Sequence, residues 1–400
     1  MRASKSDRFL MSSWVKLLFV AVIMYICSAV VPMAATYEGL GFPCYFNNLV
    51  NYSALNLTVR NSAKHLTPTL FLEKPEMLVY IFWTFIVDGI AIVYYCLAAV
   101  AVYRAKHVHA TTMMSMQSWI ALLGSHSVLY VAILRMWSMQ LFIHVLSYKH
   151  VLMAAFVYCI HFCISFAHIQ SLITCNSAQW EIPLLEQHVP DNTMMESLLT
   201  RLKPVCVNLY LSTTALEMLL FSLSTMMAVG NSFYVLVSDA IFGAVNMFLA
   251  LTVVWYINTE FFLVKFMRRQ VGFYVGVFVG YLILLLPVIR YENAFVQANL
   301  HYIVAINISC IPILCILAIV IRVIRSDWGL CTPSAAYMPL ATSAPTVDRT
   351  PTVHQKPPPL PAKTRARAKV KDISTPAPRT QYQSDHESDS EIDETQMIFI

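Results

Sequence analysis

The chain has 400 residues, 58% of them apolar or weakly polar and only 12% charged, with a formal net charge of +5. That charge content is half the roughly 25% of a soluble domain, and the mean hydropathy is +0.61. A soluble chain of this length would have to hide more apolar surface than one or two cores hold. The small positive charge does not point to nucleic acid, because the basic residues mark loop positions and a Pro-rich tail.

Eight apolar segments follow one another, at about 14–36, 77–103, 113–134, 151–173, 205–229, 234–262, 271–289 and 300–321. Each reaches the ~20 residues that a helix needs to cross ~30 Å of hydrocarbon. In lipid the backbone must satisfy its own hydrogen bonds, so the segments are expected to be helices. The fold class expected is all-α: a polytopic membrane protein with eight transmembrane helices and a disordered cytosolic tail. The apolar stretch 138–146 is placed to extend the third span. The first span has two readings, a retained helix or a cleaved signal peptide with the basic lead Arg2, Lys5 and Arg8. Pro287 and Pro312 are expected to end or kink their spans.

Sidedness follows from Lys and Arg in short flanks. With the N-terminus in the cytosol, that side receives Arg2, Lys5, Arg8, Lys16, Arg104, Lys106, Arg201, Lys203, Lys265, Arg268, Arg269, Arg322 and Arg325. The opposite side receives only Arg60, Lys64, Lys74, Arg135, Lys149 and Arg290. The expected organisation is a cytosolic 1–13, a membrane domain 14–325 with a luminal loop at 37–76, and a cytosolic tail at 326–400. Two N-glycosylation signals, Asn51-Tyr52-Ser53 and Asn56-Leu57-Thr58, fall in that loop, which agrees with a luminal position. Asn307-Ile308-Ser309 also matches the signal but lies in the eighth span, out of reach of the transferase.

Cys44 in Gly41-Phe42-Pro43-Cys44-Tyr45 is the one cysteine that this topology places clearly in luminal water. Cys27, Cys96, Cys159, Cys163, Cys206, Cys310 and Cys315 lie in apolar runs and act as small hydrophobes, and Cys175 and Cys331 face the reducing cytosol. A lone thiol in an oxidising compartment has two readings, an interchain disulfide or a buried reduced side chain.

Asp88, Glu217, Asp239, Glu260, His126, His161 and His168 fall within or at the ends of spans. A charge at the bilayer centre costs about 2.5–3.5 kcal/mol on insertion scales, so Asp88 and Glu217 are expected to face other helices. They either hold a bundle together or line a transport path. Gly272, Gly276 and Gly280 share one face of the seventh span and form a helix-contact stripe, for the bundle itself or for a partner. Cys159 and Cys163, four residues apart, have no polar ligands around them and read as packing. No nucleophile elbow, His-Glu-x-x-His or phosphate loop is present, so no enzyme, cofactor or metal site is expected.

From Ser326 the apolar runs stop, and few large side chains remain to offset ordering entropy. Tyr337-Met338-Pro339-Leu340 has the Tyr-x-x-bulky form of a sorting-adaptor signal. Lys356-Pro357-Pro358-Pro359-Leu360-Pro361-Ala362-Lys363 is preset to polyproline II, as an SH3-type ligand or as a stiff spacer. Ser384, Ser388 and Ser390 each have an acidic residue three positions on, which suits phosphorylation by an acid-directed kinase.

Eight spans with both ends cytosolic, Cys44 beside its sequons, the basic turn Tyr103-Arg104-Ala105-Lys106, Tyr337-Met338-Pro339-Leu340 and the terminal acidic cluster together resemble the herpesvirus glycoprotein M family, in a gammaherpesvirus form. The resemblance covers nearly the whole chain and rests on the ensemble rather than on one motif. It implies a virion envelope component that joins a small single-span partner, glycoprotein N, in many members by a disulfide from the first luminal loop. Cys44 is the residue that fits that role. It further implies action in secondary envelopment, trafficking and modulation of fusion, at host Golgi, endosomal and inner nuclear membranes. Host sorting adaptors and viral tegument proteins would then meet the tail.

Overall fold

A computed structural model describes residues 5–34, 72, 74–105, 116–148, 150–174, 193–263, 267, 270–290 and 292–327. The described elements are all helices: α1 (Lys5–Ala34), α2 (Lys74–Ala105), α3 (Met116–Gly124), α4 (His126–Ser147), α5 (Val151–Thr174), α6 (Met194–Phe233), α7 (Val237–Phe261), α8 (Gly272–Arg290), α9 (Glu292–Gln297) and α10 (His301–Asp327). Counting α3 and α4 as one path, eight are long and apolar enough to cross a membrane. With an even number of crossings, α1 begins and α10 ends on the same side, here called the terminal side; the other is the far side.

α6 is the axis of the bundle. Of its most apolar stretch 78% is buried, against 17% for α1 and 28% for α10. It packs on α2, α5, α7 and α8, while α4 packs on α5 and α1, and α10 on α8 and α7. The reason lies in its composition. Ser212, Thr213, Thr214 and Ser222 are small, and their hydroxyls bond back to the carbonyls of Leu209, Leu209, Tyr210 and Met218 at 2.7–3.2 Å. Each polar group is therefore satisfied within the helix while neighbouring backbones come close. A π-helical turn at Leu198–Leu202 precedes the main run.

The flanking place given to Arg135 changes here, because the third span takes the longer of its two extents, through 138–146. It runs Trp119–Ser147, so Arg135 lies inside the bundle at 2% exposure and does not belong among the flanking charges. α8 and α10 run through Pro287 and Pro312, so of the two alternatives, an end or a kink, neither proline ends its helix.

The third crossing contains a break that the apolar run conceals. Gly124 has φ +154°, and a Cβ there would lie 2.6 Å from the Tyr95 ring. α4 restarts at Ser125, whose Oγ accepts from Val128 N. Three side chains donate to the carbonyls freed at the end of α3: Lys203 Nζ to Leu122 O at 2.8 Å, Tyr94 OH to Leu123 O at 2.6 Å, and Trp14 Nε1 to Gly124 O at 2.9 Å. His126 Nε2 donates in return to Leu10 O at 3.2 Å. The first helix is thus tied to the third crossing in both directions, with Trp14, Leu18 and Ala21 buried against the bundle.

Candidate functional site

Four of the polar side chains that sequence placed in the bilayer, Asp88, Glu217, His161 and His168, converge on one buried cluster. α2 supplies Asp88 and α6 supplies Glu217, as expected, and α4 supplies the cation between them. Arg135 Nη2 pairs with Asp88 Oδ1, and Arg135 Nη1 donates to Glu217 Oε1 at 3.1 Å. All three residues are at most 5% exposed. Two carboxylates in hydrocarbon need a cation, and the guanidinium fork is the group that serves both at once.

The remaining contacts close the shell. Ser165 Oγ on α5 donates to Glu217 Oε2, and His161 Nε2 stands 3.6 Å from Glu217 Oε1. Tyr210 OH donates to Asp88 at 3.2 Å, while its ring lies under the guanidinium at 5.1 Å. Tyr80 and Tyr158 join their hydroxyls at 3.0 Å, and the Tyr158 ring tilts against His161 at 5.3 Å. His168 packs edge-on against Tyr210 at 4.7 Å. The cluster therefore cross-links α2, α4, α5 and α6 near mid-bundle. The cavity beside Asp88 and Arg135 measures about 30 Å³, room for one or two waters and not the dimensions of a conduit. Among the described residues, no group of three or more His, Cys, Asp or Glu is placed to hold a metal.

Two smaller ion pairs fasten the ends. Arg322 on α10 pairs with Glu260 on α7, donates to Thr259 and to Gln270 O, and lies 5.0 Å from the Tyr274 ring centroid. On the far side Arg290 of α8 bonds Glu76 of α2 at 2.8 Å. Asp239 is exposed in the first turn of α7, where the helix dipole favours a carboxylate.

The glycine stripe belongs to the bundle. A Cβ on Gly272 would lie 2.0 Å from Asn208 O, and one on Gly276 2.3 Å from Ser212 O, so α8 rests backbone to backbone on α6. Gly280 faces side chains only. Asn208 Oδ1 also accepts from Val271 N and Gly272 N, capping the start of α8. Asn307 donates to Asn246 Oδ1 at 2.7 Å. Cys159 and Cys163 point outward from α5. Cys44, Asn51, Asn56, Tyr337, Leu340, Ser384, Ser388 and Ser390 lie outside the described residues.

Arg135, Ser138, Ser165 and Tyr210 complete the site and were not singled out from sequence. The available signal was electrostatic: two acids inside spans, and one arginine beside the apolar run 138–146.

Comparison with known proteins agrees with this architecture. Residues 7–340 match the model of the family described as herpesvirus glycoprotein M. The chain belongs to the herpesvirus glycoprotein M family. It is 54% identical to envelope glycoprotein M of Saimiriine herpesvirus 2 over 85% of this chain and 93% of the relative. It is 50% identical to the Alcelaphine herpesvirus 1 protein over 81% and 87%, and 49% identical to the Epstein-Barr virus (strain B95-8) protein over 81% and 80%. These relatives are named as envelope glycoproteins. No solved structure matches the chain.

Proposed function

We propose that this member of the family works in virion assembly as the multi-span half of a heteromeric envelope complex, with a small single-span protein of the glycoprotein N kind as its partner. The observation that carries the reading is the family match across residues 7–340, which spans the whole helical bundle. The terminal side is cytosolic in this reading, and segment 37–76 is luminal. Cys44 forms a disulfide to the partner, and Asn51 and Asn56 carry glycans. A rigid bundle locked at its centre by Asp88, Arg135 and Glu217 suits a scaffold that presents a luminal loop on one side and a signal-bearing tail on the other. Secondary envelopment, intracellular trafficking and modulation of fusion are the steps served. The membranes concerned are those of the virion and of the host Golgi and trans-Golgi network, endosomes and inner nuclear envelope.

The disulfide has a direct test. On non-reducing electrophoresis of infected-cell membranes, the wild-type chain is expected to migrate with a partner attached, and Cys44→Ser is expected to release it without changing the mobility of the reduced chain. Identical non-reducing mobility for both would refute the bond.

The tail is proposed to set the membrane address through Tyr337 and Leu340, which engage sorting adaptors, and through phosphorylated Ser384, Ser388 and Ser390, which add charge for adaptors and tegument proteins. Truncation after Leu330 is expected to move the steady-state pool from the Golgi region to the cell surface, read by quantitative immunofluorescence. An unchanged distribution would count against a sorting tail.

A further inference from the structure

The guanidinium of Arg135 commits two of its three nitrogens to the ion cluster, Nη2 to Asp88 and Nη1 to Glu217. The third, Nε, is buried and has no hydrogen-bond partner among the described residues. Arg135 as a whole is 2% exposed, so bulk solvent does not serve this N–H. A buried donor left unpaired costs about 1–3 kcal/mol. Gln140 Nε2, further along α4, is a second buried donor without a partner among the described residues. Both residues line the cavity of about 30 Å³ between α1, α2 and α4.

The other polar lining groups are acceptors. Ser28 Oγ gives its hydrogen to Tyr25 O at 2.6 Å, and Thr84 Oγ1 gives its hydrogen to Tyr80 O at 3.0 Å. Each hydroxyl keeps lone pairs for another donor, and the Asp88 carboxylate adds more. The cavity therefore combines unpaired donors with acceptors. An anion there would meet Asp88, and a cation would meet the guanidinium. Water both donates and accepts, and needs two to four polar partners and about 10–15 Å³ for its centre. The cavity runs from the Asp88–Arg135 pair toward the far side, to Pro32, Ile81 and Ile143. At its other end the Tyr25 ring stacks on Phe85 at 4.6 Å, and its hydroxyl covers Gly89, where a Cβ would lie 2.5 Å from it.

We infer that this cavity is a hydration site, holding one or two water molecules that accept from Arg135 Nε and Gln140 Nε2 and donate to Asp88, Thr84 and Ser28. The water completes the guanidinium, so that all three of its nitrogens are bonded, and it hydrates the Asp88–Arg135 pair on the face turned to the far side. Desolvation is the main cost of burying such a pair, and a retained water lowers it. The site also draws in α1, of whose most apolar stretch only 17% is buried. Ser28 joins that helix, through water, to the cluster that cross-links α2, α4, α5 and α6.

Radiolytic footprinting tests for the bound water directly. X-rays split water where it sits, and the hydroxyl radical oxidises the side chains beside it, methionine to its sulfoxide among them. Met136 and Met139 line the cavity and are buried; Met218 and Met227 of α6 are equally buried and do not line it. With the full chain in nanodiscs, Met136 and Met139 are expected to gain oxygen several-fold faster than Met218 and Met227, read by mass spectrometry of their peptides. Thr84→Val combined with Gln140→Leu keeps every charge and nearly the same side-chain volume, but removes two of the water's partners. It is expected to bring the Met136 and Met139 rates down to those of the two controls. Equal rates for all four methionines in wild type would overturn the hydration site, as would a double variant that labels like wild type. The wild-type comparison needs no substitution, so it decides the matter alone if the double variant does not fold. Either result leaves the partner disulfide and the sorting tail untouched.

Discussion

Arg135→Gln is expected to be the most damaging charge substitution in the bundle. It leaves Asp88 and Glu217 buried without the guanidinium that pairs with both. Removing one partner of a buried ion pair costs about 3–5 kcal/mol, a large part of the roughly 5–15 kcal/mol that separates folded from unfolded in an ordinary domain. The loss comes from the abandoned carboxylates more than from the missing bonds, and that gives the prediction a second arm. Asp88→Asn in the same chain removes one of the two stranded charges, while Glu217 keeps the Ser165 hydroxyl and His161. The double variant is therefore expected to recover part of the stability, with a coupling of about 0.5–3 kcal/mol. Arg104→Gln, at an exposed helix end, is expected to stay within about 0.5 kcal/mol of wild type. Thermal unfolding of detergent-solubilised protein, followed by fluorescence-detected gel filtration, ranks the four proteins. Wild-type stability for Arg135→Gln would mean that the cluster does not hold the bundle.

The same residue shows where sequence reading stops. Hydropathy over a window near the bilayer thickness recovers the eight crossings, because membrane helices are written in long apolar runs. Asp88 and Glu217 were legible because a carboxylate in such a run has no other explanation than a partner. Arg135 was assigned to a flank because flanking-charge rules treat every arginine as a loop marker, and the run before it already had the length of a span. The pairing became visible only when the Arg135 side chain met Asp88 of α2 and Glu217 of α6, a tertiary fact that no local pattern encodes. The Gly124 break was hidden for a related reason. Its carbonyls are satisfied by Trp14, Tyr94 and Lys203 from three other helices, so the only local mark is the short polar stretch Ser125-His126-Ser127 inside a span-length apolar run. The identity of the luminal partner and the use of the tail are not written in the bundle at all, and rest on family membership.

Gly272, Gly276 and Gly280 were legible as a stripe, but not as to what they touch, and the contacts now separate them. A Cβ on Gly276 would sit 2.3 Å from Ser212 O and 2.6 Å from Ser212 Cα, where ordinary contact begins at 3.4 Å. Those atoms are helix backbone, which cannot rotate away as a side chain does, so α8 must move off α6 by about an ångström or more. The shift breaks close packing along the most buried helix and pulls the start of α8 from its cap on Asn208. Overpacking of this kind costs about 1–3 kcal/mol for one added methyl, and Gly276→Leu is expected to prevent folding. Gly280→Ala meets only the far end of Phe248 at 3.3 Å and leucine methyls beyond it. It also gains the roughly 0.5–1 kcal/mol that alanine contributes over glycine in a helix, so it is expected to be neutral or slightly stabilising. Melting curves of the isolated chain in detergent distinguish this account from a stripe kept for a partner helix. A partner stripe would leave the Gly276→Ala chain as stable as wild type alone and weaken only its complex, whereas an internal stripe lowers the melting temperature with no partner present.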